Sequence, residues 1–109
     1  MAYDEGLAFR VDSFVSREPD IESKKMFGGI GYMTGGNMAC GVLEDYLIIR
    51  TGPEIYQESL DSEYVREFDI TGRSMKGWVI IDPCGIEEDT DLNGWIEKGL
   101  AFARSLPVK

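Results

Sequence analysis

The segment whose spacing most suggests chemistry lies in the last quarter of the chain, where residues 89–94 read D-T-D-L-N-G. This order matches the first six positions of an EF-hand calcium loop. The twelfth position, which needs a bidentate glutamate, holds Leu100, and helical periodicity includes the apolar residues in between. We therefore interpret the segment as an acidic helix start, capped by Thr90 or Asp91, and expect neither a metal nor a cofactor.

Three basic side chains are candidates for holding an anion in this acidic chain. Arg50 falls at the end of a predicted strand, and Arg73 and Lys76 lie at a predicted turn. Such groups bind carboxylates and phosphates through charge-assisted hydrogen bonds. The alternative is that they pair with neighbouring acids such as Asp69, which is the commoner arrangement on protein surfaces. The sequence leaves both interpretations open.

The residue inventory excludes many familiar active sites. The chain has no histidine, so serine-histidine-aspartate catalysis, cysteine-histidine catalysis and histidine zinc motifs cannot occur. Cys40 and Cys84 form no CxxC motif and are predicted to be free, buried and hydrophobic. The glycines of residues 28–31 lack the spacing of phosphate-binding loops, which favours close packing in a strand. No catalytic residue set emerges, so we expect a protein that is not an enzyme.

Charge and length restrict the partners and the domain count. Eleven basic residues against 20 acidic ones leave a net charge of -9, which repels phosphate backbones and anionic lipids. We therefore expect no direct nucleic-acid partner and no membrane partner. The acidic N-terminus does not resemble a signal peptide, which predicts a cytoplasmic location. The 109 residues fit one domain spanning 1–109.

Changes in hydrophobic periodicity divide this domain into eight elements. An amphipathic helix is predicted over residues 4–16, and residues 24–51 show the two-residue period of three strands separated by turns at 35–36 and 44–45. A short helix from Pro53, strands over 66–70 and 75–82, and a helix over about 91–105 follow. The order α-βββ-α-ββ-α predicts a two-layer α+β fold, with an antiparallel five-stranded sheet and helices on one face.

The two predicted hairpins assign residues to the faces of this sheet, because they pair Met33 with Met38 and Leu43 with Tyr46. One face is predicted to form the core with the helices, and it carries Phe27, Gly29, Gly31, Met33, Met38, Cys40, Val42, Leu47 and Ile49. The other face is also largely apolar, and we expect it to be an interaction face centred on Ile30, Tyr32, Leu43, Tyr46 and Ile48. Since monomers seldom leave such patches exposed, a homodimer through this face is predicted.

Three motifs resemble a known family. Residues 26–31 (M-F-G-G-I-G), residues 72–78 (G-R-S-M-K-G-W), and Trp95 with residues 102–107 (F-A-R-S-L-P) are similar to the TfoX N-terminal domain of bacterial competence regulators. The resemblance implies a two-layer α+β fold and supplies no catalytic residues. In the competence regulators a helical domain follows, whereas this chain ends at Lys109, so a stand-alone member is expected.

These observations predict a non-catalytic module that interacts with a protein partner or with itself, in a regulatory role. The alternative is a protein that binds a small anionic ligand between the glycine-containing strands and the last helix, with Arg50 and Lys76 holding the anion. A flat apolar face would favour the first function, and a closed pocket with convergent polar groups would favour the second.

Overall fold

A computed structural model describes residues 3–26, 28–69 and 72–109 of the chain. In these ranges the protein forms three α-helices, a short 3-10 turn and a single six-stranded antiparallel sheet in the order β1-β2-β3-β4-β6-β5. The elements are α1 (Glu5–Val15), β1 (Ile21–Met26), β2 (Gly29–Thr34), β3 (Asn37–Leu43), β4 (Tyr46–Arg50), α2 (Tyr56–Leu60), β5 (Val65–Glu67), β6 (Trp78–Ile81), the 3-10 turn (Pro83–Gly85) and α3 (Asp89–Arg104).

The predicted α+β class and the single antiparallel sheet are confirmed, but the predicted number of five strands is wrong. The first strand, β1, lies at the edge of the sheet and reads I-E-S-K-K-M, with four exposed residues in its centre. An edge strand of this kind shows no apolar alternation, because neither of its faces is fully buried. The order is therefore α-ββββ-α-ββ-α, with the sheet beginning at Ile21.

Both predicted hairpin turns are confirmed. Thr34 pairs with Asn37 across Gly35 and Gly36, whose φ angles of 58° and 81° are those of a type I′ turn. Two successive positive φ angles favour glycine, which adopts them without a steric penalty, so the Gly-Gly pair specifies this turn. Likewise, Leu43 pairs with Tyr46.

A β-bulge overturns the predicted faces of β2. Met33 pairs with Met38, but the next pair is Tyr32 with Cys40, so Ala39 is an additional residue in β3. One extra residue in a two-residue repeat exchanges the faces of the partner strand. Gly29, Gly31 and Met33 therefore lie on the face away from the core together with Met38, whereas Ile30 and Tyr32 lie on the core face with Cys40, Val42, Leu47 and Ile49.

The core lies between this face of the sheet and the helices. The fully buried side chains that β3 and β4 contribute to this core pack against α1 and α3. The helix residues in this contact are Leu7, Val11, Leu92, Ile96 and Leu100. Phe14 and Trp95 border the same cluster, while Phe102 contacts Arg50. Phe27, which was also predicted to lie in this core, is outside the described residues. The helices α1, α2 and α3 thus share one face of the sheet.

The remaining boundaries differ from the prediction by a few residues. The second helix begins at Tyr56 and not at Pro53, and the last two strands are shorter than predicted. The last helix begins at Asp89, with Glu88 as the N-cap residue and no side-chain capping bond, so the predicted capping by Thr90 or Asp91 is wrong. Among the described residues, no helix combines the length and the hydropathy that crossing a lipid bilayer requires.

Candidate functional site

The face of the sheet opposite the helices is partly covered by the chain itself. Tyr46, Ile48 and Ile80 form a second hydrophobic cluster there, and each is at most 5% exposed. Phe68, in the segment between β5 and β6, packs on this cluster with its ring 6.1 Å from that of Trp78. The Met75 amide donates a hydrogen bond to the Phe68 carbonyl, so these two residues lie side by side. The cover extends over β4 and β6 but leaves β2 and β3 more open.

The predicted interaction face is therefore only partly correct. Tyr32 is fully buried on the helix side, where its hydroxyl donates to the carbonyl of Ala8, and Ile30 packs against the same core. Burial raises the pKa of the Tyr32 hydroxyl, with a further contribution from Asp12. Tyr46 and Ile48 lie on the expected face but are covered within the chain, and Leu43 is half-buried. The bulge at Ala39 and the cover by Phe68 explain these differences.

The uncovered part of this face contains an apolar groove of about 440 Å³. One wall includes Met26, at the end of the edge strand β1, and the opposite wall consists of Phe68, Met75 and Trp78. Between the walls, the groove is lined by Gly29, Ile30, Met38, Gly41, Val42, Leu43 and Ile48. None of these lining residues is charged, and the indole N–H of Trp78 is their sole side-chain hydrogen-bond donor. We call this site the apolar groove.

Glycines on β2 and β3 allow methionine side chains to lie across the floor of the apolar groove. A Cβ atom added at Gly31 would lie 3.3 Å from Met26 Cε and 3.4 Å from Met38 Cε. A Cβ atom at Gly41 would lie 2.7 Å from Met38 Cε and 3.0 Å from the carbonyl oxygen of Ile30. The predicted close packing of the glycine-rich segment therefore has two sources: flexible thioether side chains pack on Gly31, whereas the backbone carbonyl of Val42 approaches Gly29.

The predicted anion-binding residues have different surroundings. The guanidinium of Arg50 lies over the rings of both Trp78 and Phe102, with its carbon 5.1 Å and 5.4 Å from their centroids. Arg73 and Lys76 are exposed and flank Met75 in the segment that forms one wall of the apolar groove. No hydrogen bond within the described residues brings the three together around one point, and Arg50 is occupied by aromatic contacts.

A further cation borders the groove on the opposite side. Lys24 of β1 pairs with Gly31, so it shares the groove face with Met26, whereas Lys25 pairs with Ile30 on the other face. The ion pairs among the described residues join Arg10 to Asp89, Arg66 to Asp82, and Arg104 to Glu18 and Asp20. Lys24, Arg73 and Lys76 take part in none of these pairs.

The segment that resembles a calcium loop is helical, as predicted. Asp89 and Asp91 occupy the first turn of α3, where carboxylates interact favourably with the helix dipole. Arg10 of α1 donates to Asp89 Oδ1 at 3.0 Å, so this acidic turn also joins two helices. The acidic residues that resemble a calcium loop are therefore explained as the first turn of α3.

The two cysteines differ in exposure. Cys40 is buried in the core, and burial raises the pKa of its thiol to about 12, so it is held as an unreactive thiol. The prediction that both cysteines are free is confirmed, but Cys84 lies on the surface within the 3-10 turn and not in the core. Neither thiol contributes to the apolar groove.

The fold and the groove together define a two-layer α+β domain with one structural face and one partly open apolar face. A family model, that of the TfoX N-terminal domain, matches residues 13–103 of the chain. The protein therefore belongs to the TfoX N-terminal domain family, which confirms the resemblance seen in its sequence motifs. No curated protein and no solved structure matched the chain.

The methionine lining was not predicted from the sequence. Met38 was assigned to the core face, and the bulge that places it on the groove face has no sequence signal of its own. The available signal was compositional, because methionine occurs five times in 109 residues and three of the five line this one site. Such methionine enrichment is typical of adaptable protein-binding surfaces.

Proposed function

We propose that this protein is a non-catalytic interaction module of the TfoX N-terminal domain family, which binds a protein partner or a second copy of itself through the apolar groove. The observation that carries the proposal is the groove itself, an open apolar depression on a sheet face that the helices do not cover. Apolar surface of this kind at the surface of a folded domain is a frequent mark of a protein contact.

The scarcity of polar groups in the groove lining, where the indole N–H of Trp78 is the sole side-chain donor, supports a protein partner over a small anion. Small-molecule sites combine apolar walls with a few polar groups that orient the ligand. Here the cations Arg73 and Lys76 lie outside the lining, and Arg50 is stacked on aromatic rings. The volume of about 440 Å³ is still within the range of small-ligand sites, so the anion-binding alternative is kept as the second candidate.

The first experiment measures whether the groove mediates association. Met75 is 39% exposed in the groove wall, so Met75→Glu alters the contact surface without placing a charge in the core. Phe9→Glu is the matched control, because Phe9 is 70% exposed on α1, on the helix side of the molecule. We expect wild-type protein to self-associate in sedimentation velocity at high concentration and moderate salt, Met75→Glu to be monomeric, and Phe9→Glu to behave as wild type.

A wild type that sediments at 12.2 kDa under all these conditions would remove the homodimer from the proposal and leave a different protein as the partner. A thermal-shift screen with small carboxylates and phosphates tests the second candidate, since a ligand that binds the folded state raises the melting temperature. A saturable rise that Lys76→Ala and Arg50→Ala abolish would favour the anion-binding function instead.

A further inference from the structure

We propose that the open edge of β1 pairs with the same strand of a second copy of this chain, antiparallel and in a single register centred on Ser23. This contact is separate from the apolar groove, because it uses the backbone edge of the sheet and not its face. Three properties of β1 carry the inference, namely its length and exposure, the direction of its free backbone groups, and the order of its charged residues.

The two edges of the sheet differ in what they offer a partner. At one edge β5 has three residues, whereas at the other edge β1 has six, and the four in its centre are exposed. An unpaired strand edge is a template for a further strand, and shortening the edge strand is one way in which proteins prevent such pairing. The β5 edge is protected in this way, but β1 is long enough to hold another strand.

The turn after β2 determines which backbone groups of β1 face outward. Thr34 and Asn37 close a two-residue type I′ turn, so Thr34 exchanges its backbone hydrogen bonds with β3. Along an antiparallel strand, residues that bond to one neighbour alternate with residues that bond to the other. The residues of β1 that bond to β2 are therefore Glu22, Lys24 and Met26.

The residues in between direct their backbone groups to the open edge. In agreement with this alternation, the N–H of Ile21 donates to the carbonyl of Glu18 at 3.2 Å and not to the ladder. Among the described residues, no backbone hydrogen bond outside the ladders reaches Ser23 or Lys25. An antiparallel strand centred on Ser23 would exchange two hydrogen bonds at Ser23, and each Lys25 N–H would donate to the Ile21 carbonyl of the other copy.

The charged residues of β1 select this register. In a symmetric antiparallel pair the two sheets present the same face on the same side, so Glu22 and Lys24 must oppose residues of their own face. Centring the pair on Ser23 places Glu22 opposite Lys24 twice, whereas centring it on Glu22 or on Lys24 places like charges opposite each other. Lysines on an edge strand usually prevent indiscriminate pairing, and here they leave one register open.

The neighbouring positions do not oppose this register. The long aliphatic stem of Lys25 would lie opposite the half-buried Ile21, with its ammonium group in water. Asp20, the next residue towards the N-terminus, would lie beside Met26, and its carboxylate is already neutralised by two hydrogen bonds from Arg104. The edge therefore brings two opposite-charge pairs together without an unpaired acid between them.

The pairing is transient, because one strand from each copy makes a small contact and two chains of charge -9 repel each other. We therefore expect no stable dimer in sedimentation once the groove contact is removed. A covalent trap, which accumulates a short-lived pair, is the appropriate measurement.

The trap is a disulfide formed between two copies in oxidised glutathione. Ser23→Cys is made together with Cys84→Ser, which removes the exposed native thiol. At the centre of the register the two Cα atoms would be about 5.5 Å apart, a distance that a disulfide spans. Lys25→Cys with Cys84→Ser is the control, because its two thiols would lie four residues, or about 13 Å, apart along the strands. We expect Ser23→Cys to be trapped about tenfold faster than Lys25→Cys.

Charge reversals in the Ser23→Cys variant separate the register from the effect of net charge. Glu22→Lys changes the net charge from -9 to -7, and Lys24→Glu changes it to -11. Net charge alone would accelerate trapping of the first variant, but the register predicts that both are trapped about fivefold more slowly, because each places like charges opposite at two positions. In an equal mixture, the lysines of one variant face the glutamates of the other, so mixed dimers identified by mass spectrometry should form at about the parent rate.

Equal trapping of Ser23→Cys and Lys25→Cys would overturn the inference. Faster trapping of Glu22→Lys, or a mixture that is trapped no faster than the single variants, would overturn the register and the inference with it. The proposed function fails separately, since Met75→Glu alters the groove and leaves the edge of β1 unchanged, so register-specific trapping should persist in that variant. Association through the groove without such trapping would leave the proposed function intact and remove this second contact.

Discussion

The two faces of the sheet use different kinds of side chains for different tasks. On the helix side, β3, β4 and β6 present branched residues such as Val42, Ile49 and Ile81 that are almost fully buried. On the groove side, β1, β2 and β3 present methionines and glycines, and the nearest helix is on the opposite side of the sheet. Branched side chains have few rotamers and specify one packing, whereas methionine adapts to several. The comparison indicates a structural face and a binding face.

The largest expected effect comes from placing the same charge on each face at adjacent positions of β3. Val42 is 1% exposed among the helix-side residues, so Val42→Asp buries a charge without a partner and should cost on the order of 4 kcal/mol of unfolding free energy. Leu43 is half-buried on the groove face, and Leu43→Asp should cost less than half as much, because water reaches the carboxylate. Urea denaturation measures the free energy of unfolding of both variants.

The pair of substitutions is informative in either direction. A Val42→Asp variant that melts within a few degrees of wild type would contradict the assignment of the core face. If Leu43→Asp were as destabilising as Val42→Asp, the groove face would be a second structural face, and its role in binding would lose support.

Glycine substitutions sharpen the same comparison with a smaller effect. A Cβ atom at Gly99 of α3 would collide with the carbonyl oxygen of Ala39, so Gly99→Ala should force the helix away from the sheet and cost about 1–3 kcal/mol. A Cβ atom at Gly31 would meet only the flexible ends of Met26 and Met38 at 3.3–3.4 Å, so Gly31→Ala should cost less. Thermal unfolding of both variants compares the two faces.

Gly94 provides the control for helix propensity. It lies in α3 with nothing within 4 Å of the added Cβ atom, so Gly94→Ala should stabilise the protein by about 0.5–1 kcal/mol. A Gly31→Ala variant as unstable as Gly99→Ala would mean that the methionines cannot move, and the adaptable groove would then be the wrong description.

The features that local sequence determines were predictable. The type I′ turn at Gly35 and Gly36 and the amphipathic stripe of α1 follow from residue type and spacing, and the structure has both. The same reasoning placed Val42, Leu47 and Ile49 correctly, because the turn before β4 fixes their register. The family resemblance also depended on local motifs.

Features that depend on tertiary contacts were not predictable. The bulge at Ala39 lies where β3 approaches Gly99 of α3, a residue 60 positions away, and no local pattern of the sequence indicates it. Because one added residue exchanges the faces of the partner strand, this bulge places Ile30 and Tyr32 on the core face and Gly31 on the groove face. The edge strand β1 was missed for a related reason, since its exposed residues carry no alternation.

The smallest expected effect concerns a polar cluster that joins the helix layer to the edge of the sheet. Arg104, in the last turn of α3, donates to Asp20 Oδ1 at 2.8 Å and Oδ2 at 3.0 Å, and also to Glu18 at 2.9 Å. Thr34 of β2 donates to the same Asp20 at 2.6 Å. No such ion pair involves Lys24, Arg73 or Lys76 on the groove walls within the described residues, which extends the contrast between the two faces to their charges.

The pH dependence of stability tests this cluster. The Arg104 guanidinium, followed by the Thr34 hydroxyl, holds the pKa of Asp20 well below its ordinary value. A carboxyl whose pKa is lower in the folded state stabilises the protein above its unfolded-state pKa of about 3.9, and this contribution is lost as the pH falls further towards the folded-state pKa. Wild type should therefore be more stable than Asp20→Asn at pH 7, and the difference should shrink below about pH 4.

Asp61→Asn, at an exposed aspartate, is the control for removing a negative charge, and urea midpoints from pH 7 to pH 2.5 give the comparison. A difference between wild type and Asp20→Asn that stays constant over this range would mean that Asp20 contributes through hydrogen-bond geometry, and that its charge adds nothing to the attachment of α3.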